Sequence, residues 1–191
     1  MKNQISISIK YLLAITLITG LIYPLFISLI SVILFPHKAS GSLIEEDGIV
    51  IGSKLIGQKF ETDKYFWSRP SAIDYNPAPS SGTNLAPTSE RLKQIFLKRK
   101  KDFAEKNFLK NPELIPNEML FASASGVDPH ISPASAMLQV ERIAKARNFD
   151  RAKKEKIIGL INSLTESPQF GVWGNSVVNI LLLNLALDKM N

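Results

Sequence analysis

The pattern of apolar and polar positions changes character at about residue 36. From Tyr11 to Phe35 the chain reads YLLAITLITGLIYPLFISLISVILF, and no charged residue falls between Lys10 and Lys38. About 20 apolar residues suffice to cross the hydrocarbon core of a bilayer. The pattern therefore predicts one membrane-spanning helix over 11–35. Gly20 and Pro24 interrupt it, as is common in membrane helices, and Pro24 predicts a kink. Thr16, Thr19, Ser28 and Ser31 read either as small residues facing a partner helix or as ordinary tolerated hydroxyls. Ala39, Ser40 and Gly41 mimic a signal-peptide cleavage site. The apolar run is much longer than the roughly 7–15 residues of such a signal, which favours an uncleaved anchor.

Beyond the apolar run the periods shorten. Asp47 and Gly48 lie between short apolar runs and predict a β-hairpin. Residues 66–90 are rich in Pro, Ser, Gly and Asn, which forbids long regular structure and predicts an ordered loop. A helix is predicted from Thr88 or Ser89, with Leu92, Ile95, Phe96 and Phe103 as its apolar stripe and Pro112 and Pro116 closing the region. A short strand is predicted at 119–124. Ser132 with Pro133 reads as an N-cap and first helical residue, and places Ala136, Val140, Ile143, Ala144 and Arg147 on one face. Asp150 caps a further helix carrying Ile157, Leu160, Ile161 and Leu164, broken by Pro168 and Gly171. In the closing VVNILLLNLALD, Leu181, Leu183, Leu185 and Leu187 alternate, which favours a buried strand over a core helix. The sum is an α+β fold: one transmembrane helix followed by a single soluble α+β domain over 41–191.

Composition narrows the chemistry. Charged residues make up 21% and apolar ones 45%, a balance suited to a folded domain. The net charge is +6, but the basic clusters at Lys98–Lys101 and at Lys153, Lys154 and Lys156 lie on amphipathic helices and read as solvated faces. No nucleic-acid partner is expected. The absence of cysteine excludes disulfides, thiolate metal sites and a cysteine nucleophile. The only histidines are His37 and His130, so no metal site is expected. There is no GxxxxGK[ST] phosphate loop and no DKTGT phosphorylation sequence. Asp128, His130 and Ser132 are too close in sequence to converge as a triad, so no catalytic residue is assigned and a structural role for His130 is expected. Arg69 is expected to pair with a carboxylate, in this domain or on a partner. Arg69, Ser71, Asp128 and His130 are the candidate structural or partner-contacting residues, because ordered polar residues on turn-rich loops need a reason to be there. Ser80, Ser81, Gly82 and Asn84 form a polar loop, a weak candidate for nucleotide contact.

Taken as a whole, the sequence resembles the KdpC family, the C subunit of the Kdp-type potassium-transporting ATPases of bacteria and archaea. The likeness runs through GSKLIGQKF (Gly52–Phe60), YFWSRPSAIDYN (Tyr65–Asn76), SSGTNLAPTSERL (Ser80–Leu92), ASASGVDPHISPASAMLQVERIAKAR (Ala122–Arg147) and FGVWGNSVVNILLLNLALD (Phe170–Asp188). Ala124 stands where the family usually has glycine and Val127 where it has leucine. Asn175 and Ser176 stand where a proline or arginine is frequent. The resemblance implies a non-catalytic subunit needed for assembly of a high-affinity potassium uptake complex. Its implied partners are a channel-like potassium-translocating subunit, a P-type ATPase subunit and membrane lipid. It also implies a chaperone-like role that raises the ATP affinity of the ATPase subunit. No cofactor is expected to be firmly bound, and ATP enters only through that partner.

Orientation is read from the flanks. Lys2, Lys10 and the terminal amine precede the helix, and Lys38 and an acidic run follow it. This bias puts residues 1–10 in the cytoplasm and the domain outside the cell membrane. A domain outside cannot touch cytoplasmic ATP, so it would more naturally brace the potassium entrance. The alternative reading is a stand-alone, membrane-anchored extracytoplasmic sensor or ligand-binding domain.

Overall fold

The computed structural model describes residues 2–78 and 80–190. The terminal amine of Met1, Pro79 of the proline-rich stretch and Asn191 lie outside these. The chain divides into two units, 1–51 and 52–191.

The first unit is dominated by one helical rod: α1 (Lys2–Leu17), a π-helical turn (Ile18–Ile22) and α2 (Tyr23–Leu34). The stretch Asn3–Leu34 is long and apolar enough to cross a membrane, and it starts before the predicted Tyr11. At about 1.5 Å per residue its 32 residues span about 48 Å. Pro24 has no N–H, and its ring crowds the carbonyl of Gly20. The π turn lies just ahead of it, where the Tyr23 N–H reaches the carbonyl of Ile18. Thr19 and Ser31 donate to the carbonyls of Ile15 and Ile27, both at 2.8 Å. Those two hydroxyls are thus occupied within their own helix. One short helical turn, α3 (Pro36–Ala39), follows.

The predicted hairpin is present as β1 (Leu43–Glu46) and β2 (Ile49–Ser53). Asp47 and Gly48 both have positive φ, 52° and 77°, as a two-residue hairpin turn of primed type requires. No helix or strand then occurs among the described residues until α4 (Glu90–Lys106). Ser89 caps α4 by accepting from the Leu92 N–H. Phe103 and Ala104 are buried on its inner face, with Phe96 packed beside the core. Arg99 and Lys100 are not simply solvated: Arg99 donates to the Leu120 carbonyl at 3.0 Å, and Lys100 pairs with Glu113 at 2.6 Å.

The strand predicted at 119–124 is not formed. Met119 ends a 3-10 turn (Asn117–Met119), and 120–124 is irregular. Its apolar residues belong to a loop that dips into the core, with Met119 and Leu120 buried. The sheet instead comprises β3 (His130–Ile131), β4 (Thr165–Glu166) and β5 (Val177–Asn179), in the antiparallel order β3-β5-β4. Val178 lies between Ile131 and Thr165 in register.

Ser132 caps α5 (Pro133–Met137) as expected, accepting from the Ser135 N–H. A turn separates α5 from α6 (Val140–Ala146). Asp150 caps α7 (Arg151–Ser163), which buries Ile157 and Ile161. Of the closing stretch only Val177–Asn179 is strand; the alternating leucines lie on a helix. Asn179 ends β5 and caps α8 (Ile180–Asp188) by accepting from the Leu182 N–H. The buried positions of α8 are Ile180, Leu181, Leu183, Asn184 and Leu187. Their spacing is that of a helix face, and the alternating leucines concealed it.

The core contains a segment with no strand partner. Phe66 is fully buried in chain that belongs to no helix or strand. The Asn184 side chain accepts from the Phe66 N–H at 2.8 Å and donates to its carbonyl at 3.0 Å. Gln139 accepts from the Trp67 N–H at 2.8 Å and donates to its carbonyl at 3.3 Å. Two side-chain amides thus take the place of a neighbouring strand. Replacing Asn184 by Leu keeps the volume but strips both partners from Phe66. The expected loss is about 3 kcal/mol, from two buried backbone groups left unpaired. Equilibrium denaturation of the full chain in detergent, wild type against Asn184→Leu, measures it; an unchanged midpoint would refute the role given to the amide.

Candidate functional site

The candidate residues converge on one cluster of loops. Arg69 Nη1 lies 2.7 Å from Asp128 Oδ2, an ion pair within the domain with each side chain 27% exposed. The other carboxylate oxygen, Oδ1, accepts from the His130 N–H at 3.0 Å. His130 Nδ1 is 3.9 Å from the same oxygen, beyond a hydrogen bond. Arg69 Nε is buried without a hydrogen-bond partner among the described residues. The backbone ties the loops further. The Ser123 N–H donates to Pro70 at 3.0 Å, and the Gly57 N–H donates to Val127 at 2.7 Å.

Two glycines permit this approach. A Cβ on Gly57 would stand 2.4 Å from the Asp128 carbonyl oxygen. A Cβ on Gly126 would stand 2.5 Å from Ile73 Cγ1, and Gly126 also has φ +73°. Only glycine fits both the space and that backbone conformation.

Ser71 shapes the next turn. Its hydroxyl accepts from the N–H groups of Ile73 at 3.2 Å and Tyr75 at 3.0 Å. This holds Asp74 and Tyr75 at positive φ, 53° and 61°, which is costly for residues with side chains. The Tyr75 hydroxyl donates back to the Arg69 carbonyl, and burial pushes its phenol up to about 12. Lys59 bridges Asp74 at 2.7 Å and Glu61 at 2.9 Å, and these bonds, Asp74 first, raise its pKa.

The SSGTN loop packs on the same cluster. Ser80 donates to the Ser125 carbonyl at 2.7 Å. Ser81 donates to the Gly82 carbonyl at 3.2 Å, and Asn84 donates to Ser81 at 3.4 Å. Gly82 lies against the backbone of Ala124. These polar groups are engaged with the protein's own loops. Ser132 is likewise occupied: it caps α5 and donates to Ser135 at 3.1 Å.

Beside the cluster lies a cavity of about 690 Å³, walled by Trp67, Tyr75, Lys59, Asp74, Asp102 and Glu105, among others. No group of histidines or carboxylates suited to a metal ion occurs among the described residues. What the arrangement does is hold three loops in one fixed shape.

Comparison with known proteins decides the family. The family model described as "K+-transporting ATPase, c chain" (KdpC) matches residues 5–189. The chain belongs to the KdpC family. It is similar to the potassium-transporting ATPase KdpC subunit of Leptospira interrogans, at 44% identity over 98% of this chain and 94% of that one. The KdpC subunit of Methylococcus capsulatus is 43% identical, with both chains fully covered. That of Bradyrhizobium diazoefficiens is 45% identical over 99% of this chain and 98% of its own.

Two of the positions at which the sequence differs from the expected pattern make their contacts through the main chain. Ala124 offers its main chain to Gly82, and Val127 offers its carbonyl to Gly57. Asn175 is exposed and Ser176 half-buried in the β4–β5 connection. Sequence reasoning missed Glu118, Gln139, Arg142 and Asn184. Glu118 accepts from the Ser132 N–H at 2.8 Å and from the Ser135 hydroxyl, locking the start of α5. A polar residue recurring on an apolar helix face was the available signal for Gln139, Arg142 and Asn184.

The raised phenol makes an alkaline prediction. In the unfolded chain tyrosine ionises near pH 10. Tyr75 keeps its proton until about pH 12 when folded. Its contribution is therefore complete below pH 10 and is lost as pH rises from 10 to 12. Tyr75→Phe should flatten the decline of stability in that window, read by denaturant midpoints at each pH. An identical slope in the variant would show that the phenol is not the group responsible.

Proposed function

We propose that the chain serves the potassium-transporting ATPase complex as a non-catalytic assembly subunit. In this reading its domain lies outside the cytoplasm and braces the potassium entrance of a channel-like partner. The supporting observation is the loop cluster itself. Apart from Arg69 Nε, the side chains of Arg69, Ser71, Asp128, Ser80 and Ser132 are hydrogen-bonded to one another or to nearby backbone. Such a cluster makes a rigid surface rather than a reaction centre. The flanking charges, Lys2 and Lys10 before the apolar helix against Lys38 after it, favour an external domain.

A second reading keeps the domain inside, where the Ser80–Asn84 loop would help the ATPase subunit bind ATP. The glycine at position 82 and the hydroxyls around it favour that reading. Topology separates the two. The chain has no cysteine, so Ser40→Cys and Lys98→Cys, both at exposed positions, can be labelled singly. Intact cells treated with a membrane-impermeant thiol reagent should label both. Labelling of both only after lysis would replace the brace with direct assistance to nucleotide binding.

The ion pair supplies a second test. Arg69→Ala leaves Asp128 without its cation and loosens the joint between two loops. The partly buried, charge-assisted bond is worth about 1–2 kcal/mol. Lower yield of the assembled complex and lower potassium-stimulated ATPase rate are expected. Wild-type values of both would separate Arg69 from assembly.

A further inference from the structure

One exposed apolar feature of the 52–190 unit is unused by its core. Phe170, Val172 and Trp173 are 89%, 78% and 68% exposed, more than any other large apolar side chain of that unit. They lie in the connection between β4 and the central strand β5. The tip is ordered by its own backbone. The Gln169 N–H donates to Trp173 at 2.8 Å and the Trp173 N–H returns to Gln169 at 2.9 Å. Phe170 and Gly171 turn the chain with φ of 53° and 73°. The rings of Phe170 and Trp173 meet edge to face, 5.6 Å apart at 86°. The aromatic pair is thus held in place before any contact is made, which lowers the entropy cost of docking.

Charge and area narrow what covers it. The segment 167–176, SPQFGVWGNS, carries no charge, and its neighbour is Glu166, although the chain as a whole is +6. A tip built to enter an anionic bilayer surface gains from flanking lysine or arginine, and here there is none. Two aromatic side chains and a valine bury roughly 400–500 Å², well short of the about 800 Å² per partner of a stable self-association. A small, preorganised aromatic tip instead suits an anchor within a larger obligate interface, where tryptophan is frequent among the residues that dominate affinity. We infer that the Phe170–Trp173 tip is a plug for an uncharged, apolar socket on another subunit of the same complex. This rests on the chain being a subunit of that complex.

The experiment co-expresses the tagged full chain with the other subunits and isolates the complex. The wild type should retain its partners, and Phe170→Ser/Trp173→Ser should retain them at least about tenfold less after dilution. Trp173→Phe should keep most of the retention. Both changed side chains are exposed, so an unaltered circular dichroism spectrum and thermal midpoint are expected. A bimane label on Val172→Cys supplies a reading independent of those variants. Its emission should shift to the blue in the complex and stay water-like in the chain alone in nanodiscs of anionic lipid. A water-like label in the complex, with equal retention by the double variant, overturns the socket. A blue shift in nanodiscs alone overturns it in favour of the bilayer. If the wild type retains no partner at all, the subunit reading beneath it fails instead.

Discussion

The fold depends on how a segment that belongs to no helix or strand is tied to the core. Residues 62–65 form bends and a turn that lead into the buried Phe66, and no sheet is there to receive their carbonyls. Arg142 answers most of that need. It is 2% exposed on α6, and its Nη1 donates to the carbonyls of Asp63 at 2.7 Å and Tyr65 at 3.0 Å. Nε donates to Asn107 at 3.0 Å and Nη2 to Gln139 at 2.8 Å. Its guanidinium lies 3.8 Å from the centre of the Trp67 ring. Burial pushes Arg142 down to about 10, so it stays charged at neutral pH. A lysine could not replace it, since an ammonium cannot present a planar fork to carbonyls on one side and an aromatic face on the other.

The network does more than satisfy groups. Gln139 links Arg142 to Trp67, Asn184 on α8 holds Phe66, and Arg147 at the end of α6 pairs with Asp188 at 2.6 Å. The segment therefore joins α6 and α8 before it enters the loop cluster at Ser68 and Arg69. The cluster inherits a fixed starting point. Its own bonds, from Arg69 to Asp128 and from Ser71 to Ile73 and Tyr75, set only the shape of the exposed turns. Order passes from the buried arginine outward to the exposed turns.

What could be read from the sequence follows the range of the interaction. Ser132 and Asp150 were legible as caps, and Ser89 as one of two starts for its helix, because a cap acts on an N–H two or three residues away. The Asp47–Gly48 hairpin was legible for the same reason. The 119–124 loop and α8 were misread because their apolar residues obey tertiary packing. Loop 119–124 buries Met119 and Leu120 without a ladder, and leucines at every second position hid a helical face that includes Asn184. In the cluster, the carboxylate partner of Arg69 was expected, but that it is Asp128, 59 residues on, is a fact of topology. Gln139 and Asn184 stayed hidden because their partners are backbone groups 72 and 118 residues away.

The same contrast bears on what a subunit of this kind does. The cluster's polar side chains are engaged with one another or with nearby backbone, and among the described residues Arg69 Nε is buried without a partner. Its turns hold residues at positive φ that are unfavourable in isolation, and a rigid interior holds them there. On the proposed reading, that strain serves shape. A fixed shape on an anchored domain lowers the ordering cost of binding each time a neighbouring subunit docks. On the proposed reading, that cost is the one an assembly subunit keeps small, because a surface already made need not be ordered when a partner arrives.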